Sequence, residues 1–274
     1  MLKKYRRFTK IQLLKVFSNK TMWPFKKQET QEEREVIILN EEIRKSKLKG
    51  KKLKFDPVKH EYSLGDTILT GVTDCIKSFF EPFDRIYWAE YVANRDGKTT
   101  EGVLDEWQEK RMQGDKVHKL IQDYINGKQN EDYPNEVLKA IYFLQSLQDV
   151  KEITSEKIVY SIEWEIAGTI DVVIETSKGV ILLDWKTTKN LRMDNSYRRA
   201  KSPISHLDDC NYNLYALQLN LYKSIFEQQF GKKVIEIGFV KLAEGEPLEY
   251  FSVKDLSHEI YLMMNHWKQY NKIV

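Results

Sequence analysis

An acidic pair and a lysine stand close together in the second half of this 274-residue chain. Asp184 and Lys186 are two residues apart in LLDWKTTK, and Asp171 lies thirteen residues before Asp184, in GTIDVVI. Carboxylate oxygens are the ligands that Mg²⁺ prefers, and one or two suffice because the ion keeps several waters. A bound cation can activate water and neutralise charge on a phosphate, while a nearby ammonium orients that water. The pattern indicates phosphodiester hydrolysis, although a strand end with a solvated salt bridge has the same local sequence.

The positions of these residues on strands decide whether they can act together. A two-residue turn that begins at Ser177 or Lys178 would put both aspartates and Lys186 on one face, because side chains alternate along a strand. Two carboxylates and an ammonium are costly to bury unless a ligand compensates for their lost hydration. A divalent cation provides that compensation, so the sequence predicts a metal site on this face.

Alternating helical and strand patterns along the rest of the chain indicate an α/β protein. Helices are expected over 102–126, from Asn135 onwards, and over 212–230, where Gly231 ends the last of them. The strand pattern before the acidic pair predicts a turn near Ala167–Gly168. The helices would then pack against a sheet that carries the two aspartates.

Composition excludes several classes of protein. The hydrophobic and charged fractions, 41% and 31%, are those of an ordinary globular protein, and no apolar run reaches the length of a membrane span. Two cysteines cannot build a disulfide scaffold or a four-cysteine iron-sulfur cluster, and their scarcity fits a reducing compartment. The segment DGKTT at 96–100 resembles a phosphate-binding loop, but Val92 replaces its first glycine, so no ATP site is expected.

Charge is distributed unevenly along the chain. Residues 1–27 contain nine Lys or Arg and no acidic residue, whereas the remainder carries 35 basic against 41 acidic groups. The body is therefore not a generally basic DNA-coating protein, and nucleic acid must meet a local patch or the basic segment. That segment fits a disordered arm, an amphipathic segment or a mitochondrial presequence. We expect an intracellular protein of the cytoplasm or nucleoid, with a mitochondrial location as the alternative.

Four segments together resemble the RecB-type branch of the PD-(D/E)XK nucleases, and they occur in the order of that family. GTIDVVI and ILLDWKTTK resemble its second and third motifs, with Ile170 where many members have proline. GDKVHKLIQDYI resembles the glycine-x-x-x-histidine helix, and LQLNLYKSIFEQQFG resembles the glutamine-x-x-x-tyrosine motif. LTGVT is similar to the segment that opens mitochondrial genome maintenance exonucleases and related phage nucleases, with glycine where those usually have serine.

The resemblance implies a restriction-endonuclease-like core, a central mixed β-sheet flanked by helices. We expect this nuclease domain over residues 51–274, after a basic N-terminal extension and linker over 1–50. Mg²⁺ or Mn²⁺ would be held by His118, Asp171, Asp184 and the Trp185 carbonyl, and Lys186 would serve the attacking water. Gln218 and Tyr222, one turn apart on a helix, would brace the lysine or contact DNA. Glu156 fits either an additional acidic residue used by some members or a surface residue of a strand.

The activity that the resemblance implies is hydrolysis of DNA phosphodiesters, with an exonuclease on single-stranded DNA or DNA ends favoured. Such an enzyme would serve repair, recombination or replication, with DNA as its partner, no membrane, and other partner proteins not identifiable from sequence. A structure-selective endonuclease of the same fold and a catalytically silent DNA-binding module are the alternatives.

A loop rich in basic residues follows the proposed catalytic lysine. Within KTTKNLRMDNSYRRAK, contacts to DNA are expected from Lys189, Arg192, Tyr197, Arg198, Arg199 and Lys201. Basic side chains suit backbone phosphates, and tyrosines can stack on unpaired bases. A solvated surface loop is the alternative. The aromatic residues Trp88, Tyr91, Trp107 and Phe79 fit either a strand-binding channel or core packing, and core packing is favoured for most of them.

Overall fold

Helices and strands alternate over residues 48–271, the part of the chain that the computed structural model describes. The strands are β1 (Leu53–Asp56), β2 (Glu61–Leu64), β3 (Thr67–Gly71), β4 (Val150–Ser161), β5 (Ile166–Thr176), β6 (Val180–Lys186), β7 (Val234–Lys241) and β8 (Glu249–Ser252). The helices are α1 (Val72–Ser78), α2 (Arg85–Asp96), α3 (Thr100–Ile125), α4 (Asn135–Ser146), α5 (Asn211–Phe230) and α6 (Ser257–Asn271). The expected basic extension falls almost entirely outside the described residues. None of the helices described has the length and apolar character that crossing a membrane requires.

The strands form one mixed sheet with β5 at its centre. β4 runs antiparallel along one edge of β5. The other edge is shared by β3, which pairs in parallel at Ile166 and Ala167, and by β6, which pairs antiparallel from Val172 to Glu175. The sheet continues beyond β6 with parallel β7 and antiparallel β8, and β2 and β1 extend it beyond β3. The expected central mixed sheet is confirmed.

Helices cover both faces of the sheet, and each face has its own apolar core. On one face α1, α5 and α6 pack against the central strands, where Leu217, Phe239 and Met263 are fully buried. On the other face α3 and α4 pack through Ile121 and other apolar residues against Trp185 of β6. Each large apolar side chain buried in this way contributes about 1.5–3 kcal/mol to folding. The α/β class and the helices flanking the sheet are confirmed.

The turn between β5 and β6 fixes which residues share a face. The Thr176 N–H donates to the Gly179 carbonyl at 2.9 Å, so Ser177 and Lys178 form a two-residue turn. The register continues with Glu175 opposite Val180 and Val172 opposite Leu183. Val172–Leu183 is the last pair, and the same register continued by one residue would place Asp171 opposite Asp184, as the two-residue turn predicts.

The turn expected near Ala167–Gly168 is wrong, because both residues lie inside β5. The chain turns earlier, at residues 162–165 between β4 and β5. Gly168 is required for a different reason, since a Cβ there would lie 2.7 Å from Cε1 of Tyr222. The glycine therefore permits close contact between β5 and α5 rather than a turn.

Candidate active site

The acidic pair and the lysine lie where β5 and β6 meet near the end of β6. Asp171 belongs to β5, and Asp184 and Lys186 belong to β6. Oδ2 of Asp171 accepts a hydrogen bond of 2.9 Å from the Trp185 N–H, which fixes that carboxylate against the neighbouring strand. The three side chains predicted to share a face therefore lie together.

The histidine of the glycine-x-x-x-histidine segment reaches this group from α3. Nδ1 of His118 lies 3.3 Å from Oδ2 of Asp171. One turn before it, Gly114 faces Thr187, the residue after Lys186, because a Cβ at Gly114 would lie 3.0 Å from Oγ1 of Thr187. The glycine lets α3 approach the end of β6 closely, and the histidine four residues later then points at the aspartate. Packing thus explains the spacing of this motif.

Glu156 of β4 joins the same group, although sequence reasoning left its role open. His118, Glu156 and Asp171 each offer a ligand atom, and these atoms lie within 4.8 Å of one another. Burial, together with the charge of Asp171, raises the pKa of Glu156 to about 7. The strand register identifies Glu156 as part of this group: Ser155 pairs with Val172 and Lys157 with Ile170, which puts Glu156 opposite Asp171.

The backbone of Glu156 is unusual for a strand residue. Its φ is 52°, in the left-handed region that residues other than glycine rarely adopt. Such a conformation costs about 1–3 kcal/mol and is concentrated at functional sites. The local distortion turns one residue of a long strand toward the carboxylate of Asp171.

Asp184 is buried and incompletely satisfied. Its Oδ2 is in an ion pair with Nζ of Lys186, but no described residue donates a hydrogen bond to this atom with suitable geometry. Burial raises the pKa of Asp184, and the charge of Lys186 opposes that shift. A buried carboxylate oxygen without a hydrogen bond is costly, and an oxygen-seeking cation is a suitable partner for it. The carboxylate oxygens of this group suit a hard divalent cation, and the imidazole of His118 offers one further ligand atom.

Lys186 has neutral neighbours as well as charged ones. Its Nζ donates to Oε1 of Gln218 at 3.5 Å and lies 4.3 Å from the ring centroid of Tyr215, both on α5. Burial alone would lower the pKa of Lys186, but the charges of Asp184 and Asp171 outweigh it and raise the pKa. The side chain is therefore an ammonium.

Tyr222 is the buried member of the glutamine-x-x-x-tyrosine pair. It lies one turn after Gln218 on α5, and its ring packs on Gly168 of β5. Burial raises the pKa of its hydroxyl well above the usual range, and a hydrogen bond with Gln218 opposes that shift. Tyr222 therefore contacts β5, and Gln218 contacts the Lys186 ammonium.

A comparison with protein families identifies the group to which this arrangement belongs. The family model described as the PD-(D/E)XK nuclease superfamily matches residues 84–259, a range that includes every side chain of the site. The chain belongs to the PD-(D/E)XK nuclease superfamily. PD-(D/E)XK nucleases use divalent metal ions, and the acidic group of this nuclease offers them a site.

Solved structures similar to this nuclease are distant in sequence. The crystal structure of SSO0001 shares 13% identity with it, with a TM-score of 0.36 and 84% of each chain covered. A candidate exonuclease from Eubacterium rectale also shares 13% identity, with a TM-score of 0.33, and the match covers 89% of the nuclease and 85% of that chain. A comparison with curated proteins finds no significant match.

The basic loop of the nuclease is less available for phosphate than its sequence suggests. Four of its basic side chains form ion pairs with acidic residues: Lys189 with Glu244 at 3.3 Å, Arg198 with Asp209 at 3.0 Å, Arg199 with Asp208 at 3.6 Å, and Lys201 with Glu81 at 3.5 Å. Arg192 is exposed and forms no side-chain ion pair or hydrogen bond among the residues described. Tyr197 is 96% exposed.

Proposed function

We propose that this chain is a Mg²⁺- or Mn²⁺-dependent deoxyribonuclease, and that it acts as an exonuclease on single-stranded DNA or DNA ends. The observation that carries the proposal is the convergence of His118, Glu156 and Asp171 beside the buried pair of Asp184 and Lys186. Metal-assisted phosphodiester hydrolysis needs carboxylate ligands that hold a divalent cation and, beside them, a positive group that stabilises the developing charge. The exonuclease mode, and a role in repair, recombination or replication, rest on the resemblance of the four motifs to the RecB-type branch.

The proposed mechanism assigns a task to each side chain. A divalent cation, when bound, polarises the phosphodiester and lowers the pKa of a water. His118, Asp171 and Asp184 would hold that cation, together with Glu156 and the Trp185 carbonyl. Lys186 donates a hydrogen bond that orients the attacking water and stabilises the charge that develops on phosphorus-bound oxygen. The water oxygen would give up a proton and bond to phosphorus, the bond to one deoxyribose oxygen would break, and that oxygen would take up a proton from solvent.

Exposed aromatic rings that adjoin α3 support an unpaired strand as the substrate. We define the α2 aromatic surface as Phe83, Tyr87, Trp88 and Tyr91, whose rings are in mutual contact through Trp88. Phe83, Tyr87 and Tyr91 are more than half exposed. Unpaired bases stack on such rings with about 1–3 kcal/mol per base, whereas bases within a duplex are not available.

The α2 aromatic surface adjoins both α3, the helix that carries His118, and the basic loop. Phe83 contacts Trp107 of α3, and Trp107 precedes His118 by eleven residues, about three turns or 16 Å along one helix face. On the other side, Glu81 accepts a hydrogen bond from Arg198 at its carbonyl and pairs with Lys201. A strand whose phosphate is at the metal could therefore stack bases a few nucleotides away on these rings.

Cleavage of end-labelled DNA by matched variants tests the nuclease proposal. We expect wild-type protein to degrade linear single strands with Mg²⁺ or Mn²⁺, to be inactive with EDTA, and to leave closed single-stranded circles intact. Asp184→Asn and Lys186→Ala should be inactive, while Lys178→Ala, which removes an exposed lysine from the turn between the same strands, should cleave normally. Inert wild-type protein that still binds DNA would reject the enzyme, and cleavage of circles would reject the exonuclease.

Binding without cleavage tests the unpaired-strand part of the proposal. Tyr87→Ser and Tyr91→Ser in the inactive Asp184→Asn protein should weaken binding of a fluorescent single strand by about tenfold each, as the loss of a stacked base predicts. Tyr142→Ser is the matched control, because this tyrosine of α4 is 73% exposed and belongs to no described ring contact. Equal loss of affinity in the control, or no loss in either α2 variant, would reject the α2 aromatic surface as the binding site.

A further inference from the structure

Tyr215 presents the face of its ring to the ammonium of Lys186. The distance from Nζ to the ring centroid, 4.3 Å, is well within the roughly 6 Å over which a cation is attracted to an aromatic face. The ring is itself held by an edge-on contact with Phe239, at 5.5 Å and an interplanar angle of 73°. Because Phe239 of β7 is fully buried, this contact restricts the movement of the tyrosine ring.

The neighbours of the ammonium differ in how they respond to a metal. Asp184 is charged, and a cation bound to this carboxylate would draw on the same oxygens that now pair with Lys186. Tyr215 and Gln218 are neutral and lie three residues apart on one face of α5. They offer the ammonium a ring face and an amide oxygen that a metal bound at the carboxylates does not need. The neutral contacts can therefore remain when the charged one weakens.

We propose that Tyr215 is a positioning residue, whose ring, together with Gln218, holds the Lys186 ammonium in place when Asp184 binds the metal. This inference rests on the proposed nuclease function. Without the ring, the ammonium would follow the change in charge at Asp184 and lose its position beside the water that it orients. The face of the ring makes the contact with the ammonium, so the phenol hydroxyl is not needed for it. The competing explanation is that Tyr215 only fills space against Phe239.

Three variants separate positioning from packing. Tyr215→Leu removes the ring, Tyr215→Phe keeps it, and Tyr212→Leu removes a different ring that also meets Phe239 edge-on, at 6.1 Å, but is not in contact with Lys186. We expect Tyr215→Leu to lower kcat by about tenfold to thirtyfold with KM unchanged, the loss that a desolvated cation–π contact predicts. Tyr215→Phe should restore kcat to within about twofold, since the ring face remains. Wild-type kcat in Tyr215→Leu, equal losses in both Tyr215 variants, or an equal loss in Tyr212→Leu would overturn the proposal.

A measurement that needs no turnover keeps the two proposals distinguishable. In protein with ¹³C-labelled lysine, the ε protons of Lys186, assigned from their absence in Lys186→Met, should be shifted upfield by the Tyr215 ring. The shift should persist when the protein is saturated with Mg²⁺, and it should vanish in Tyr215→Leu. If the wild type proves inert on DNA while this shift persists with metal, the nuclease proposal fails and the positioning of the ammonium stands. Loss of the shift on addition of Mg²⁺ to wild-type protein would overturn the inference.

Discussion

Replacing Gly168 by alanine tests whether close contact between β5 and α5 is essential to the site. The added Cβ would lie 2.7 Å from Cε1 and 2.9 Å from Oη of Tyr222, and 3.1 Å from Cγ2 of Val72. Distances below 3.0 Å cannot be tolerated, so the tyrosine ring has to move. Because that ring is buried, it cannot swing into solvent and must displace its neighbours. Overpacking of this kind costs about 1–3 kcal/mol.

The cost should appear in thermal unfolding. For a domain of this size each kcal/mol lowers the midpoint by about 2–4 °C, so Gly168→Ala should unfold about 2–12 °C below wild type. The displaced ring lies one turn from Gln218, which contacts Lys186, so kcat should fall as well.

A double-mutant cycle identifies the contact responsible. Tyr222→Leu removes the ring, and in that background Gly168→Ala should cost at least about 1 kcal/mol less than in wild type, the scale of coupling between touching residues. An equal cost in both backgrounds, or unchanged stability of Gly168→Ala alone, would refute the explanation of this glycine by contact with the ring.

The remaining predictions concern the metal group. Glu156→Gln should weaken Mg²⁺ binding, measured by calorimetry, by at least about tenfold. It should also raise the unfolding midpoint of the metal-free protein at pH 8, because one of several mutually repelling carboxylates is removed. Glu152→Gln, which changes an exposed residue of the same strand, should alter neither quantity. Mg²⁺ affinity should rise from pH 6 to pH 8, because burial raises the pKa of Glu156 to about 7 and a ligand must be ionised. Calorimetry in buffers of different ionisation enthalpy should detect the released proton, and the release should diminish in Glu156→Gln. Gly114→Ala should weaken Mg²⁺ binding, because the added Cβ would lie 3.0 Å from Oγ1 of Thr187 and would push α3 and His118 away. The double variant Gly114→Ala/Thr187→Ala should restore the affinity. Failure to restore it would show that the two residues are not coupled.

The proximity of Asp171, Asp184 and Lys186 was predictable because it follows from local rules. Side chains alternate along a strand, and a two-residue turn fixes the pairing of adjacent strands, so the position of Ser177 and Lys178 determines the rest. The helix 100–125 was likewise predictable from its apolar periodicity.

Features that depend on contacts between distant segments could not be obtained in this way. The position of Glu156 requires both the register of β4 on β5 and a left-handed residue in mid-strand, and neither is encoded by local propensity. Gly168 carries the signal of a turn, but its reason lies in Tyr222, more than fifty residues later. The acidic partners of the basic loop include Glu81 and Glu244, which are remote in sequence, so the loop alone looks far more cationic than it is.

The internal pairing of the basic loop has a consequence for how the protein would respond to its surroundings. Binding of basic proteins to nucleic acid is driven by counterion release. For single strands, the logarithm of the affinity falls with the logarithm of the salt concentration, with a slope of about −0.7 per phosphate neutralised. Four of the five basic side chains from 189 to 201 are already neutralised by acidic residues of the same chain. An incoming phosphate exchanges one partner for another at these positions and releases few ions. Attraction to DNA through this loop should therefore be short in range and insensitive to ionic strength, so that recognition would depend on the fit of the strand rather than on long-range steering.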